Sequence, residues 1–216
     1  MQVELDHLFV LTAPGAPEAD KFIQFGLLEG PPNQHPGQGT ANRRFPLANA
    51  MVELLWVNNP TEVRNPSTRR TLLWERWSER ETNACPFGIC LRPVDERDTG
   101  TPFPGWEYRP SYLPGSLSMH IGESGIEEPM WVYLNFQRRE YYKKRFAENP
   151  VGIRDITGLT LTTCVPLRSR VSQTIIESGI IASRTGPSPL LEIEFDGGAR
   201  NKRMDFRPRL PILFQL

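Results

Sequence analysis

Three histidines, three cysteines and only four lysines occur in this chain of 216 residues, and each shortage closes off a class of protein. The 25 basic and 25 acidic side chains cancel, so no excess positive field marks a nucleic-acid partner. No stretch approaches the roughly 20 consecutive apolar residues that a membrane span needs. Cys85, Cys90 and Cys164 are odd in number and lack a Cys-x-x-Cys spacing, which argues against a disulfide framework or a zinc ribbon. The segment Met1 to His7 is acidic where a signal peptide would be basic, so a reducing cytoplasm is the expected compartment. Cys90 and Cys164 sit in apolar runs and read as inert packing residues.

What the chain does have is punctuation. Its 17 glycines and 21 prolines fall between short apolar runs, the pattern of a strand-rich protein with few helices. Residues 3–10, VELDHLFV, predict a central strand with Leu5, His7 and Phe9 on one face and Asp6, Leu8 and Val10 on the other. Pro17 opens a helix whose stripe is Ala19, Phe22, Ile23 and Gly26, with Gly26 as its stop. Short strands are expected near 26–29, 42–48 and 50–57, with a Pro/Gly-rich loop at 31–40 between the first two.

A similar order returns near the C-terminus. ITGLTLTTCVP from Ile156 matches LDHLFVLTAP from Leu5, and LLEIEFD at 190–196 matches MVELLWV at 51–57. Gly158 then stands where His7 does, and Glu192 where Glu53 does. The segment between the copies predicts a helix over 67–81 and strand-like runs FGICLRP, WEYRP, SLSMHIG and MWVYLNF. The basic and aromatic run Arg138 to Arg145 reads as a connector more than a nucleic-acid patch.

Glu53 is the most informative residue. It lies in a strand apolar on both faces, where a carboxylate needs a cation, a donor or a cavity. His7 poses the same question in the first strand. An imidazole and a carboxylate facing one hollow suit zinc, iron, manganese or nickel without distinguishing among them, while the plainer reading gives His7 a core hydrogen bond and Glu53 an arginine. The HPGQGT loop either receives an anion on exposed N–H groups or, the favoured reading, makes a tight connection. His35 within it reads as solvated. Asn42 and Arg44 share a strand face and are candidates to bind a substrate, with Arg43 opposite. Trp106 and, from the other face, Arg109 are further substrate-binding candidates, against a favoured reading of Trp106 as core. His120 is a further substrate-binding candidate or a replacement ligand, against a favoured reading as a hydrogen-bonder at a strand end.

LDHLFV at 5–10, HPGQGTANRRF at 35–45 and VELLWV at 52–57 resemble the glyoxalase-like branch of the vicinal-oxygen-chelate superfamily (glyoxalase, bleomycin resistance and extradiol dioxygenase proteins). LEIEFDGG from Leu191 and RPRLP from Arg207 extend the likeness to the C-terminus. The resemblance implies an α+β fold in which paired βαβββ modules form a curved, cup-like mixed sheet with flanking helices. It places a first module at 1–60, a connecting helix and extra strands at 61–150, and a second module at 151–216, all packed as one unit. It also implies a divalent metal held by His7 and Glu53, with Glu192, the match of Glu53, as third ligand and His120 or Glu194 as the alternatives, and with Glu53 and Glu192 as catalytic carboxylates. Gly158 in place of a second histidine departs from the full two-His, two-Glu site.

The expected function is therefore a small-molecule enzyme of lyase, isomerase or dioxygenase type that polarises substrate oxygens on the metal. The alternative is a metal-free protein of the same fold that binds or sequesters a small molecule. Neither a nucleotide cofactor, nucleic acid nor a membrane is an expected partner, and a homodimer is compatible with the sequence.

Overall fold

The computed structural model describes residues 2–95, 97–98, 100–143 and 146–216. Strand β1 (Val3–Leu11) leads through helix α1 (Ala19–Phe25) to β2 (Asn33–His35), β3 (Thr40–Pro46) and β4 (Met51–Val57). Helices α2 (Pro60–Val63) and α3 (Leu73–Ser78) precede β5 (Phe87–Pro93), β6 (Gly105–Tyr108), β7 (Met119–Gly122) and β8 (Met130–Tyr133). Helix α4 (Arg139–Lys143) is followed by β9 (Ile156–Thr163), α5 (Arg170–Glu177), β10 (Ala182–Thr185), β11 (Leu190–Phe195), β12 (Arg203–Asp205) and β13 (Ile212–Gln215). The expected connector at 138–145 includes α4, and its Lys144 and Arg145 lie outside the described residues.

The α+β class with paired modules in a curved sheet holds, but the second module is not where the sequence repeat put it. Strands β1 to β8 form one mixed sheet in the order β2-β3-β4-β1-β5-β8-β7-β6. In its first half β1 runs parallel to β4, which pairs antiparallel with β3. The second half repeats this with β5 parallel to β8 and β8 antiparallel to β7, and the halves join by β1 against β5. The partner module thus lies within 87–133. No helix joins β5 to β6 among the described residues of 94–104, and the missing helix hides the repeat.

Residues from Ile156 onward build a separate sheet, β10-β9-β11-β13-β12. There β11 runs antiparallel to β9, whereas β4 runs parallel to β1. The matched sequence segments therefore share local pattern and not topology.

The two sheets share one core. Phe22 on α1 lies 4.8 Å from Phe206 and 5.1 Å from both Phe45 and Phe214, centroid to centroid. Asn49 binds the chain across the junction, donating to the Ile156 carbonyl and accepting from the Ile156 N–H. Buried Trp131 donates Nε1–H to Ser172 on α5 at 2.8 Å. Glu128 accepts from the N–H groups of Arg168 and Ser169 and from both serine hydroxyls at the start of α5, a carboxylate cap of the kind helix N-termini favour.

Local differences have local causes. The expected strand at 26–29 is irregular, and β2 forms instead inside the Pro/Gly-rich loop. Gln38 and Gly39 donate back to the His35 carbonyl there, and Gly37 and Gly39 at φ 81° and 77° close the hairpin. The helix expected over 67–81 is split by Leu72 at φ 57° into a 3-10 turn and α3. Gly26 does end α1, at φ 103°, but Ile23 faces outward from the predicted stripe.

Candidate functional site

The concave face of the eight-stranded sheet holds a cavity of about 560 Å³, within the range of small-molecule sites. His7 from β1, Glu53 from β4, Arg44 from β3, His35 from β2 and Cys90 from β5 all line it. Apolar side chains including Phe9, Leu55, Met130 and Val132 complete the wall.

His7 reaches the cavity through a bulge. In the β1–β5 ladder Leu5 pairs with Leu91 and His7 with Cys90, leaving Asp6 as an extra residue. The extra residue resets the alternation. Leu5 packs with the core that contains Leu8 and Val10, and Phe9 and Leu11 pack on the cavity side. The predicted face of Leu5, His7 and Phe9 is thus broken after Leu5. The bulge also lets adjacent side chains meet: His7 Nδ1–H donates to Asp6 Oδ1 at 2.7 Å. A carboxylate there fixes the tautomer and leaves Nε2 as the nitrogen available to a ligand.

Asp6 is fully buried and accepts from Arg92, itself buried, at 3.1 Å. Arg92 also donates to Glu4 and to the Asn49 carbonyl, so the charge behind His7 is anchored on several sides. Burial alone would lower the His7 pKa, yet Cys90, Glu53 and Asp6 together hold it well above the ordinary histidine value. Cys90 is itself pushed up by burial, so its sulfur is a thiol at neutral pH. The carboxylates of Glu53 and Asp6 are the charges that stabilise the imidazolium.

Glu53 is buried and accepts Asn42 Nδ2–H at 2.7 Å. Asn42 and Arg44 do share a face. Arg44, the register partner of Glu53, donates Nε–H and one Nη–H to the Pro31 carbonyl at 2.9 and 2.7 Å, which holds its guanidinium at the cavity wall. Arg43 points the other way into ion pairs with Glu29 and Asp20.

His35 is not solvated. Its Nδ1–H donates to Thr40 at 2.8 Å, its Nε2 accepts from Asn33 at 3.1 Å, and its ring stacks 4.6 Å from Tyr112. Burial lowers its pKa, and with both nitrogens engaged it is a neutral wall of the cavity.

Other expected site residues lie elsewhere. Glu192 is on the second sheet, where it is ion-paired with Arg184, accepts from Gln215 and lines a separate hollow with Glu194 and Gly158. It does not join His7 and Glu53, because β11 belongs to a different sheet from β4. Trp106 lies under the Arg70 guanidinium at 4.4 Å and lines a neighbouring hollow. Arg109 pairs with Glu107 in solvent. His120 binds the Phe103 carbonyl through Nε2 at 2.9 Å, the strand-end role preferred for it.

Among the described residues no three His, Cys, Asp or Glu side chains stand together in a way that could hold a metal ion. In the second module β5 offers a thiol and β8 offers Met130 and Val132 to the cavity, where the glyoxalase-like pattern asks for a histidine and a glutamate. The residues present do not make the expected three-ligand set. Sequence reading missed Asp6, Cys90, His35 and Tyr112. A charged residue preceding His7 in an apolar strand was the one visible signal for Asp6.

No protein-family model matches the sequence, and no curated protein matches it. Similar solved structures include the crystal structure of a hypothetical protein from Staphylococcus aureus, 12% identical, with a TM-score of 0.52 over 99% of both chains. At that identity the likeness shows the fold alone. Among the described residues no helix is long and apolar enough to cross a membrane.

Proposed function

We propose that the cavity is a small-molecule site in which His7 carries a proton to or from the ligand. The observation that carries the reading is the buried Asp6 on His7 Nδ1, with Glu53 on the same cavity wall. Asp6 sets the tautomer and stabilises the imidazolium, and Nε2 faces the reacting group. Arg44 suits a carboxylate or carbonyl oxygen at one end of the ligand, and the apolar wall suits its carbon skeleton.

A thermal-shift screen of small carbonyl and carboxylate compounds tests this. Active compounds should raise the melting temperature of the wild type and of His120→Gln, whose side chain lies outside the cavity. The shift should be lost in Arg44→Gln and His7→Asn. Shifts that survive in both cavity variants would overturn the assignment.

A second reading, a divalent metal held by His7 and Glu53, is favoured by Asp6 on the far nitrogen of His7, since metal-bound histidines commonly carry such a carboxylate. Metal analysis after incubation with zinc, iron, manganese or nickel separates the two. Stoichiometric metal lost in His7→Ala and Glu53→Gln supports the metal site, and equally poor retention in all three removes it.

A further inference from the structure

We propose that Cys90 is the nucleophile of the cavity, working with His7 as its base and Asp6 as the group that orients His7. The proposal rests on the small-molecule reading of the cavity and adds to it a covalent step.

Cys90 and His7 are direct partners across the β1–β5 ladder, which brings their Cβ atoms to about 5 Å, and both side chains line the cavity. The thiol and the imidazole project from directly opposed positions of the two strands into the same cavity. His7 is in turn bonded to Asp6 at 2.7 Å. The thiol thus stands across the ladder from an imidazole that a carboxylate holds from behind, the order in which an oriented base activates a nucleophile. Cys85 supplies the contrast. It has the same 3% exposure as Cys90 and burial pushes both thiols up, but Cys85 lies within the apolar core and not on the cavity, whereas the neighbouring His7 opposes the rise at Cys90.

The chemistry that fits is addition to a compact α,β-unsaturated carbonyl compound. In the neutral form of His7, populated as pH rises through its raised folded value, the Cys90 Sγ–H proton passes to Nε2 as sulfur forms a bond to the β-carbon. The C=C π pair moves toward the carbonyl, and the resulting enolate takes the proton back from the imidazolium at its α-carbon. The product is a saturated thioether. No atom is lost and no oxidant or reductant is needed. Arg44 is placed to receive the carbonyl or carboxylate oxygen of such a ligand, and Met130 and Val132 to receive its carbon chain.

The test uses N-ethylmaleimide on the folded full-length chain carrying Cys164→Ser, which removes the exposed thiol. Peptide mapping by mass spectrometry then follows Cys90 and Cys85 separately. Cys90 is expected to take up one maleimide at least about tenfold faster than Cys85, and His7→Asn to slow Cys90 by about tenfold or more. In guanidinium the two thiols should react at similar rates. Cys90 reacting no faster than Cys85 in the folded chain overturns the proposal without recourse to any cavity variant, so a poorly folding His7→Asn cannot obscure the answer. Equal rates with and without His7, in variants that fold by circular dichroism, overturn it too. Either failure leaves the small-molecule reading intact if Arg44-dependent thermal shifts are found, whereas absence of those shifts strikes the reading itself.

Discussion

His7 and Asp6 are adjacent in the chain, yet His7 Nδ1 lies 2.7 Å from Asp6 Oδ1. In a regular strand neighbouring side chains point to opposite faces. The bulge opposite Leu91 and Cys90 brings them together, and the buried Arg92 pairs with Asp6 at the back of the site.

Asp6→Asn should therefore cost more than one hydrogen bond. It removes the partner of a buried guanidinium, and breaking such a pair typically destabilises by about 3 kcal/mol. Glu4 still neutralises Arg92 in part, so a folded but weakened protein is expected. Urea denaturation at pH 7 measures the loss, and a change within about 0.5 kcal/mol, the scale of an ordinary surface substitution, would show that the Asp6–Arg92 pair does not hold the strand.

The two cavity histidines should shape the pH dependence with opposite signs. His7 is raised in the fold, so its stabilising contribution is complete below the unfolded value of about 6.5 and is lost as pH rises through the folded value. His35 is lowered, so its contribution is present above about 6.5 and declines as pH falls below it. The stability of wild type relative to His7→Asn should shrink between neutral and alkaline pH. Relative to His35→Asn it should shrink in acid. NMR titration of the ring protons gives the individual values, and a His7 resonance titrating at or below the ordinary value would contradict the first half.

Asn42 donates the hydrogen bond that makes a buried Glu53 tolerable. Asn42→Ala should destabilise by about 2 kcal/mol, the cost of leaving a buried charged acceptor short of a donor. Asn42→Asp is the sharper case, because two carboxylates at that separation cannot both ionise in the fold and one pKa must rise. A raised folded carboxylate pKa penalises the folded state above the unfolded value. The deficit should be largest at pH 8 and shrink as pH falls toward about 4. A deficit independent of pH would mean the pair is relieved by moving apart.

Much of the strand framework was readable because β1, β4, β5, β8, β9 and β11 are short, largely apolar runs bounded by Gly, Pro or polar turns. Pairing was not. The motif repeat pointed from residues 3–57 to 156–196, but the partner of the first module is the unit β5 to β8, which lacks the first-strand histidine and, among the described residues, the helix that would have advertised it. His7, Glu53, Asn42 and Arg44 were legible as a site because a polar residue in an apolar strand needs an explanation. Asp6 was assigned to the wrong side because simple alternation has no way to register a bulge. Cys90 passed as packing because the same apolar run that buries it also carries it to the cavity, and only the ladder with β1 sets it opposite His7.

That ladder has a second consequence at Gly88, the partner of Phe9 on the cavity side. The far edge of the Phe9 ring fills the space over Gly88, so that a Cβ built there would meet Phe9 Cζ at 2.0 Å and Cε1 at 2.1 Å. No rotamer adjustment of a methyl group relieves that overlap, and it is the ring that must move. Phe9 lines the cavity beside His7, so Gly88→Ala should push the ring into the ligand space. A stability loss of about 2 kcal/mol from overpacking is expected. Maleimide labelling of Cys90 should slow in Gly88→Ala while His7 and Asp6 keep their contact, because the displaced ring would occupy the cavity that Cys90 and Phe9 both line. Undiminished labelling would show that Phe9 swings clear of the cavity.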